Sequence, residues 1–217
     1  MIAGQKSVGT NGKENLLFPL EYMKISQGES GSYSHQGTYA IDFLGWGANG
    51  RVYRCPYYAP CTCFLKRIFG SSSPILVWQS SQPVNYIDGS VDYVLIGVAH
   101  DNDTPNFKVG ETRNQGDLLG HTGTYGNVTG DHVHIEIAKG TDASFFKNSS
   151  GVWQFKNEYH DYLAMGVNDT IIVDGYGYNW RSFDTPTPPE PPLPPTPIIT
   201  KKEKFPWQII QFRKKYR

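Results

Sequence analysis

Apolar and polar positions alternate over short stretches of this chain, and the alternation predicts strands. In Asp131-His132-Val133-His134-Ile135-Glu136-Ile137, Val133, Ile135 and Ile137 fall on one face and His132, His134 and Glu136 on the other, because strand side chains alternate with a period of two. Ala40 to Leu44 reads as a shorter strand with Ile41 and Phe43 on one face and Asp42 on the other. Pro74 to Trp78 and Val91 to Ala99 are rich in β-branched and aromatic residues and also favour strands. Long amphipathic helical patterns are hard to find. The predicted fold class is mostly β and antiparallel.

Length changes this picture little: 217 residues suit one main domain with attachments. The end of the chain differs in character. Residues 185–197 read Thr-Pro-Thr-Pro-Pro-Glu-Pro-Pro-Leu-Pro-Pro-Thr-Pro, an extended polyproline spacer. Charge divides at the same place. Residues 1–184 hold 13 Lys and Arg against 18 Asp and Glu, and residues 185–217 hold 7 against 2. The neutral total therefore hides an acidic body and a basic tail. Basic residues interleaved with Trp207, Ile209, Ile210 and Phe212 suit an anionic wall polymer, a membrane surface or a protein partner; a solvated tail is the plainer alternative. Apart from charge nothing points to nucleic acid, and none is expected.

Candidate chemistry rests on six histidines: 35, 100, 121, 132, 134 and 160. His35 followed by Asp42, joined with one histidine of the distant His-x-His, gives two nitrogens and one oxygen. That is a three-ligand set of the catalytic zinc type, with a fourth position open for water. His100 stands at a strand end, where functional side chains are displayed. Glu136 shares the face of the histidine pair, either as a hydrogen-bonding partner of the site or as an exposed strand glutamate. His160 reads as structural or exposed.

Several segments together resemble the M23 (lysostaphin/LytM-like) zinc metallopeptidases. They are His35 with Asp42, the strand ending at His100, Val109-Gly110 through Asn114-Gln115-Gly116-Asp117-Leu118-Leu119-Gly120, and Thr122-Gly123 followed by Thr129-Gly130-Asp131-His132-Val133-His134. The spacing from His35 to Asp42 is longer than in many members and resembles a phage-encoded subset. The resemblance implies His35, Asp42 and His134 as Zn2+ ligands and His100 and His132 as the catalytic pair. Tyr33 and His121 are candidate substrate-binding residues, against ordinary packing for Tyr33 and a solvated turn for His121. It further implies an antiparallel β-sheet sandwich of the lysostaphin-like type, with long loops walling a groove; segments 45–60 and 101–108 are the candidate walls.

The expected organisation is an M23-like peptidase domain at 1–140 and an aromatic-rich extension at 141–184 packed on it. A proline-rich linker at 185–200 and a basic aromatic tail at 201–217 follow. A carbohydrate-contacting platform is the minority reading of the extension. Three cysteines, Cys55, Cys61 and Cys63, are too few for a four-ligand zinc ribbon. A Cys55–Cys61 disulfide is one option, and buried reduced thiols are the default expectation. The first residues lack the apolar core of a secretory signal. The expectation is synthesis in a host cytoplasm and action at the bacterial wall after release or within a virion. The resulting expectation is a zinc endopeptidase acting on peptide stems or cross-bridges of bacterial peptidoglycan. A non-catalytic wall-binding or tail-tip scaffold protein on the same fold is the alternative, as is a tethering module whose active part is the tail.

Overall fold

A computed structural model describes residues 1–183; residues 184–217, with the expected linker and basic tail, lie outside the described residues. The strands in chain order are β1 (Tyr22–Gln27), β2 (Ile41–Phe43), β3 (Trp46–Gly47), β4 (Gly50–Arg51), β5 (Pro56–Tyr58), β6 (Cys63–Phe69), β7 (Ile75–Ser80), β8 (Val84–Asn85) and β9 (Val91–Asp92). They continue with β10 (Val94–Ala99), β11 (Thr112–Arg113), β12 (Leu118–His121), β13 (Val133–Lys139), β14 (Phe145–Lys147), β15 (Trp153–Phe155), β16 (Glu158–Tyr159) and β17 (Ile171–Asp174). One short helix, α1, spans Asp161–Ala164.

The main sheet runs β11-β6-β7-β10-β13-β2-β1-β17, with β16 also paired to β13. Its pairs are antiparallel except β1 with β17, which run parallel. The mostly β class stands, and the sheet is mixed rather than purely antiparallel. Nothing local marks that difference, because a parallel partner must return by a long connection.

One face of the sheet is the core. Ile25, Ile41, Phe43, Leu65, Leu76, Trp78, Ile96, Val98, Val133, Ile135 and Ile137 are buried there against Leu16, Phe18, Leu20, Tyr57 and Leu119. Tyr57 and Leu119 come from the small β5–β12 sheet, which forms part of the facing layer. Cys55, Cys61 and Cys63 lie in the same core as free thiols. Burial pushes the Cys63 thiol up to about 12, so it behaves as a small apolar side chain. No disulfide joins Cys55 to Cys61.

The opposite face has a smaller apolar cluster of Val77, Leu95, Ala138 and Phe155, covered in part by Phe145 of the β14–β15 hairpin. Residues 141–183 thus add strands to the sheet and a cover to its second face, and the chain shows no break at residue 140. Phe18 meets Phe43 edge-on at 4.9 Å and Trp180 at 5.6 Å. Such aromatic pairs contribute about 0.5–1.5 kcal/mol beyond area burial. Through Phe43 they fix the strand that carries Asp42.

Candidate metal centre

Register brings the site together. In the β2–β13 pair His134 stands opposite Asp42, and in the β10–β13 pair it stands opposite Ala99, one residue before His100. Asp42 and His134 project from the face opposite the core, as alternation requires, because their neighbours Ile41, Phe43, Val133 and Ile135 are committed to it. His35 arrives from the turn-rich segment between β1 and β2 and is buried. Its Nε2 is 3.2 Å from His134 Nδ1 and 3.2 Å from Asp42 Oδ1, and His134 Nδ1 is 3.0 Å from Asp42 Oδ1.

Three donor atoms therefore form a nearly equilateral triangle. A tetrahedral zinc ion with ligand distances of about 2.0–2.2 Å sets such donors about 3.3–3.5 Å apart. The donor set of two imidazoles and one carboxylate, with one side of the triangle open to a groove, fits that ion. Among the described residues, His35, Asp42 and His134 are the cluster with metal-binding geometry.

Main-chain carbonyls fix the imidazole tautomers. His35 Nδ1–H donates to Gly28 at 3.2 Å, His100 Nδ1–H to Tyr125 at 3.0 Å and His132 Nδ1–H to Gly130 at 2.8 Å. A carbonyl can only accept, so each leaves Nε2 as the free lone pair. For His35 that atom faces the donor triangle. For His132 it lies 3.5 Å from Asp42 Oδ1. The His100 and His132 rings are 4.6 Å apart.

Burial pushes the Asp42 carboxyl up, but the imidazoles of His132, His134 and His35 gathered around it outweigh burial and hold the group well below the usual carboxylate range. Burial lowers the His100 imidazole to about 4, helped by the neighbouring His134 and His132. Burial also acts to lower His132, but the adjacent Asp42 carboxylate prevails and raises it.

His100 has φ +75°, a left-handed conformation rare for a side chain with a Cβ. Its main-chain oxygen accepts from Tyr125 N–H at 3.0 Å, so the two residues bond reciprocally. Gly123 packs against that same oxygen so closely that a Cβ would collide with it. Gly123 also exchanges two main-chain hydrogen bonds of 3.0 Å with His132. One glycine therefore ties both free histidines together, which gives the Thr122-Gly123 motif a physical reason.

The groove above the triangle has a volume of about 520 Å³. Its walls come from Ser26–Gln27, Tyr33–Ser34, Leu44, Arg51 and Asn127–Asp131. Tyr33 lines it and is 75% exposed. Of the candidate wall segments, 45–60 contributes Arg51, while 101–108 does not line the groove. Asp101 is instead buried, accepting from Tyr57 O–H at 2.9 Å and His121 N–H at 2.8 Å. The second wall, 127–131, is formed by the residues that lead into the His-x-His strand. His121, the last residue of β12, has its Nδ1 3.3 Å from Asp103 and is not among the residues that line the groove. Glu136 is neither exposed nor bonded to a site histidine. It is buried beneath the β14–β15 hairpin and accepts the Phe155 N–H.

Residues 141–183 also brace the segment that carries His35. Asn148 Nδ2–H donates to Gln36 O at 2.8 Å, Tyr39 N–H donates to Glu158 at 2.5 Å, and His160 Nδ1–H donates to Glu29 at 2.9 Å. Glu29 N–H donates to Tyr178 O–H at 2.8 Å, and the His160 ring stacks on Tyr39 at 3.8 Å. His160 is thus a structural residue of this brace.

No family model matches the chain. It is 36% identical over 178 residues to "Morphogenesis protein 1" of Bacillus phage B103, with 81% of this chain and 46% of that protein aligned. The chain spans about half the length of this curated relative. Among solved structures, it shares 15% identity with a zinc-containing peptidase from Vibrio cholerae, with 61% of this chain and 42% of that one covered at a TM-score of 0.39. Among the described residues no helix is long and apolar enough to cross a membrane.

Proposed function

We propose that this chain is a zinc-dependent endopeptidase that cuts peptide stems or cross-bridges of bacterial peptidoglycan, in phage lysis or wall penetration. The observation that carries this reading is the His35, Asp42, His134 triangle with the free Nε2 atoms of His100 and His132 beside it. The M23-like order of these residues along the chain supports the substrate class. The phage relative supports the setting.

Zinc held by His35, Asp42 and His134 would supply a water acidified to near neutrality and a Lewis acid for the scissile carbonyl. The protein's own part is positioning and proton transfer. His35, through Gly28, presents Nε2 in the correct tautomer. His132 and His100, with Nδ1–H anchored, each present an Nε2 lone pair that can take the proton of the attacking water, and the Nε2–H so formed can then pass that proton to the departing amine. Tyr33 stands on the groove wall, where a substrate peptide passes it.

Mass spectrometry of purified peptidoglycan after incubation with zinc-loaded protein tests the reading. Chelator-treated and His132→Ala samples serve as controls. New peptide amino termini that vanish in both controls are expected, and their masses name the bond. Intact walls across several wall chemistries, with zinc bound, would replace the reading with a non-catalytic wall-binding scaffold.

A further inference from the structure

The groove carries a strong cation, Arg51, that the proposed chemistry does not use. Among the described residues, Arg51 is the single Lys or Arg that lines it. Its Nη1–H donates to Gly45 O at 2.9 Å and its Nη2–H to the main-chain oxygen of Asp131. Gly45 lies just beyond the strand bearing Asp42, and Asp131 immediately precedes His132. The guanidinium is therefore fixed to the chain beside both site strands. The Arg51 side chain keeps 24% of its surface exposed.

Two main-chain bonds leave three of the five guanidinium N–H groups for other partners. The Asp131 carboxylate neutralises Arg51 only in part. It stands 3.6 Å away, and its oxygens already accept from Thr122 O–H at 2.7 Å and Arg54 N–H at 3.1 Å. The other acid on the groove, Asp42, belongs to the metal triangle. A pre-positioned planar fork on a groove wall suits a carboxylate, which it can bind through two parallel hydrogen bonds. Peptides carry carboxylates at their C-termini and on acidic residues.

We infer that Arg51 forms a carboxylate-binding subsite of the groove and selects substrate peptides with a free carboxylate near the bond to be cut. The inference rests on the peptidase reading for the identity of the substrate, but its test reads binding as well as cleavage. Two probes are used: purified peptidoglycan, and the same material with its free carboxyls converted to carboxamides by carbodiimide and ammonia. Full-length His132→Ala protein loaded with zinc is titrated with each, and wild-type cleavage of the native wall is followed in parallel.

The expected result is binding about tenfold tighter to the native wall, the order for hydrogen bonds to a charged group. Adding Arg51→Gln should cut that preference by most of its size while leaving affinity for the amidated wall unchanged. Arg51→Lys should restore part of it. A preference that survives Arg51→Gln overturns the inference, since the basic residues of 201–217 would then account for it. Equal weakening on both walls also overturns it, because Arg51 would then only tie the β3–β4 hairpin to Asp131. Preference without cleavage leaves the subsite standing and removes the peptidase reading; cleavage without preference does the reverse.

Discussion

The Asn148 side chain donates its amide hydrogen to the main-chain oxygen of Gln36 at 2.8 Å, so a hairpin far along the chain holds the turn next to His35. Asn148 also donates to Gln154 at 2.8 Å and accepts from Ser150 N–H at 2.9 Å, and is thereby fixed itself. Positioning of His35, a proposed metal ligand, thus depends on residues beyond the site.

Asn148→Ala removes the brace without touching the ligands. Outer partners of metal sites typically matter 10–100-fold, and this one is a further step away. Zinc affinity is expected to fall about tenfold or less in chelator competition, with a stability loss of about 1–2 kcal/mol. Unchanged zinc affinity would show that Gly28 alone orients His35.

Ligands and free histidines separate by experiment. Asp42→Asn and His134→Ala should abolish tight zinc binding along with cleavage. His132→Ala should keep zinc and lose about 10²–10⁴-fold in kcat. Bound zinc measured by elemental analysis after gel filtration makes the distinction; loss of zinc from His132→Ala would move that residue into the ligand set.

His100 carries strain for its position. Left-handed backbone at a non-glycine residue costs about 1–3 kcal/mol, and the His100 φ of +75° lies in that region. His100→Gly removes the strain together with the imidazole. The expected pair of results is a melting temperature equal to or above that of the wild type and cleavage reduced at least a hundredfold. A large fall in melting temperature would mean that the Nδ1–H bond to Tyr125 outweighs the strain.

Gly123→Ala drives a methyl group into His100 O and stands 2.8 Å from Asn102 N. Overpacking of this kind costs about 1–3 kcal/mol. Because Gly123 bonds to His132 as well, kcat should fall more steeply than stability. Denaturant unfolding alongside single-turnover kinetics compares the two.

Burial raises the Glu158 carboxyl to about 7, with the charge of Glu29 acting in the same direction and the Tyr39 N–H against it. The folded state then binds this proton more tightly than the unfolded chain. The stability it contributes is present below about 4.5 and declines as pH rises through about 7. Relative to wild type, Glu158→Gln should gain melting temperature over that interval. A constant difference across pH 4 to 8 would show that Glu158 does not titrate there.

Much of the site was legible because strand alternation is a local signal. Ile41 and Phe43 around Asp42, and Val133 and Ile135 around His134, reveal which face each polar residue takes. What escaped depends on contacts distant in sequence. Glu136 is on the polar face by periodicity, yet it is buried because the β14–β15 hairpin folds over it. Residues 101–108 resemble an exposed loop, but Asp101 is drawn inward by Tyr57 and His121. The parallel β1–β17 pair has no sequence signature, since neither strand records the other's direction.

That pair also sets an order of events during synthesis. Tyr22 and Met23 find Ile171 and Ile172 only after nearly all of the described chain has been made. Until then β1 is an open border of the sheet, with unpaired amides and carbonyls able to accept a strand from another nascent chain. Closure passes the border among the described residues to β17, whose Ile171, Ile172 and Val173 are each 44–52% exposed. Truncation ahead of residue 171 is therefore expected to leave the β1 edge open to association between chains.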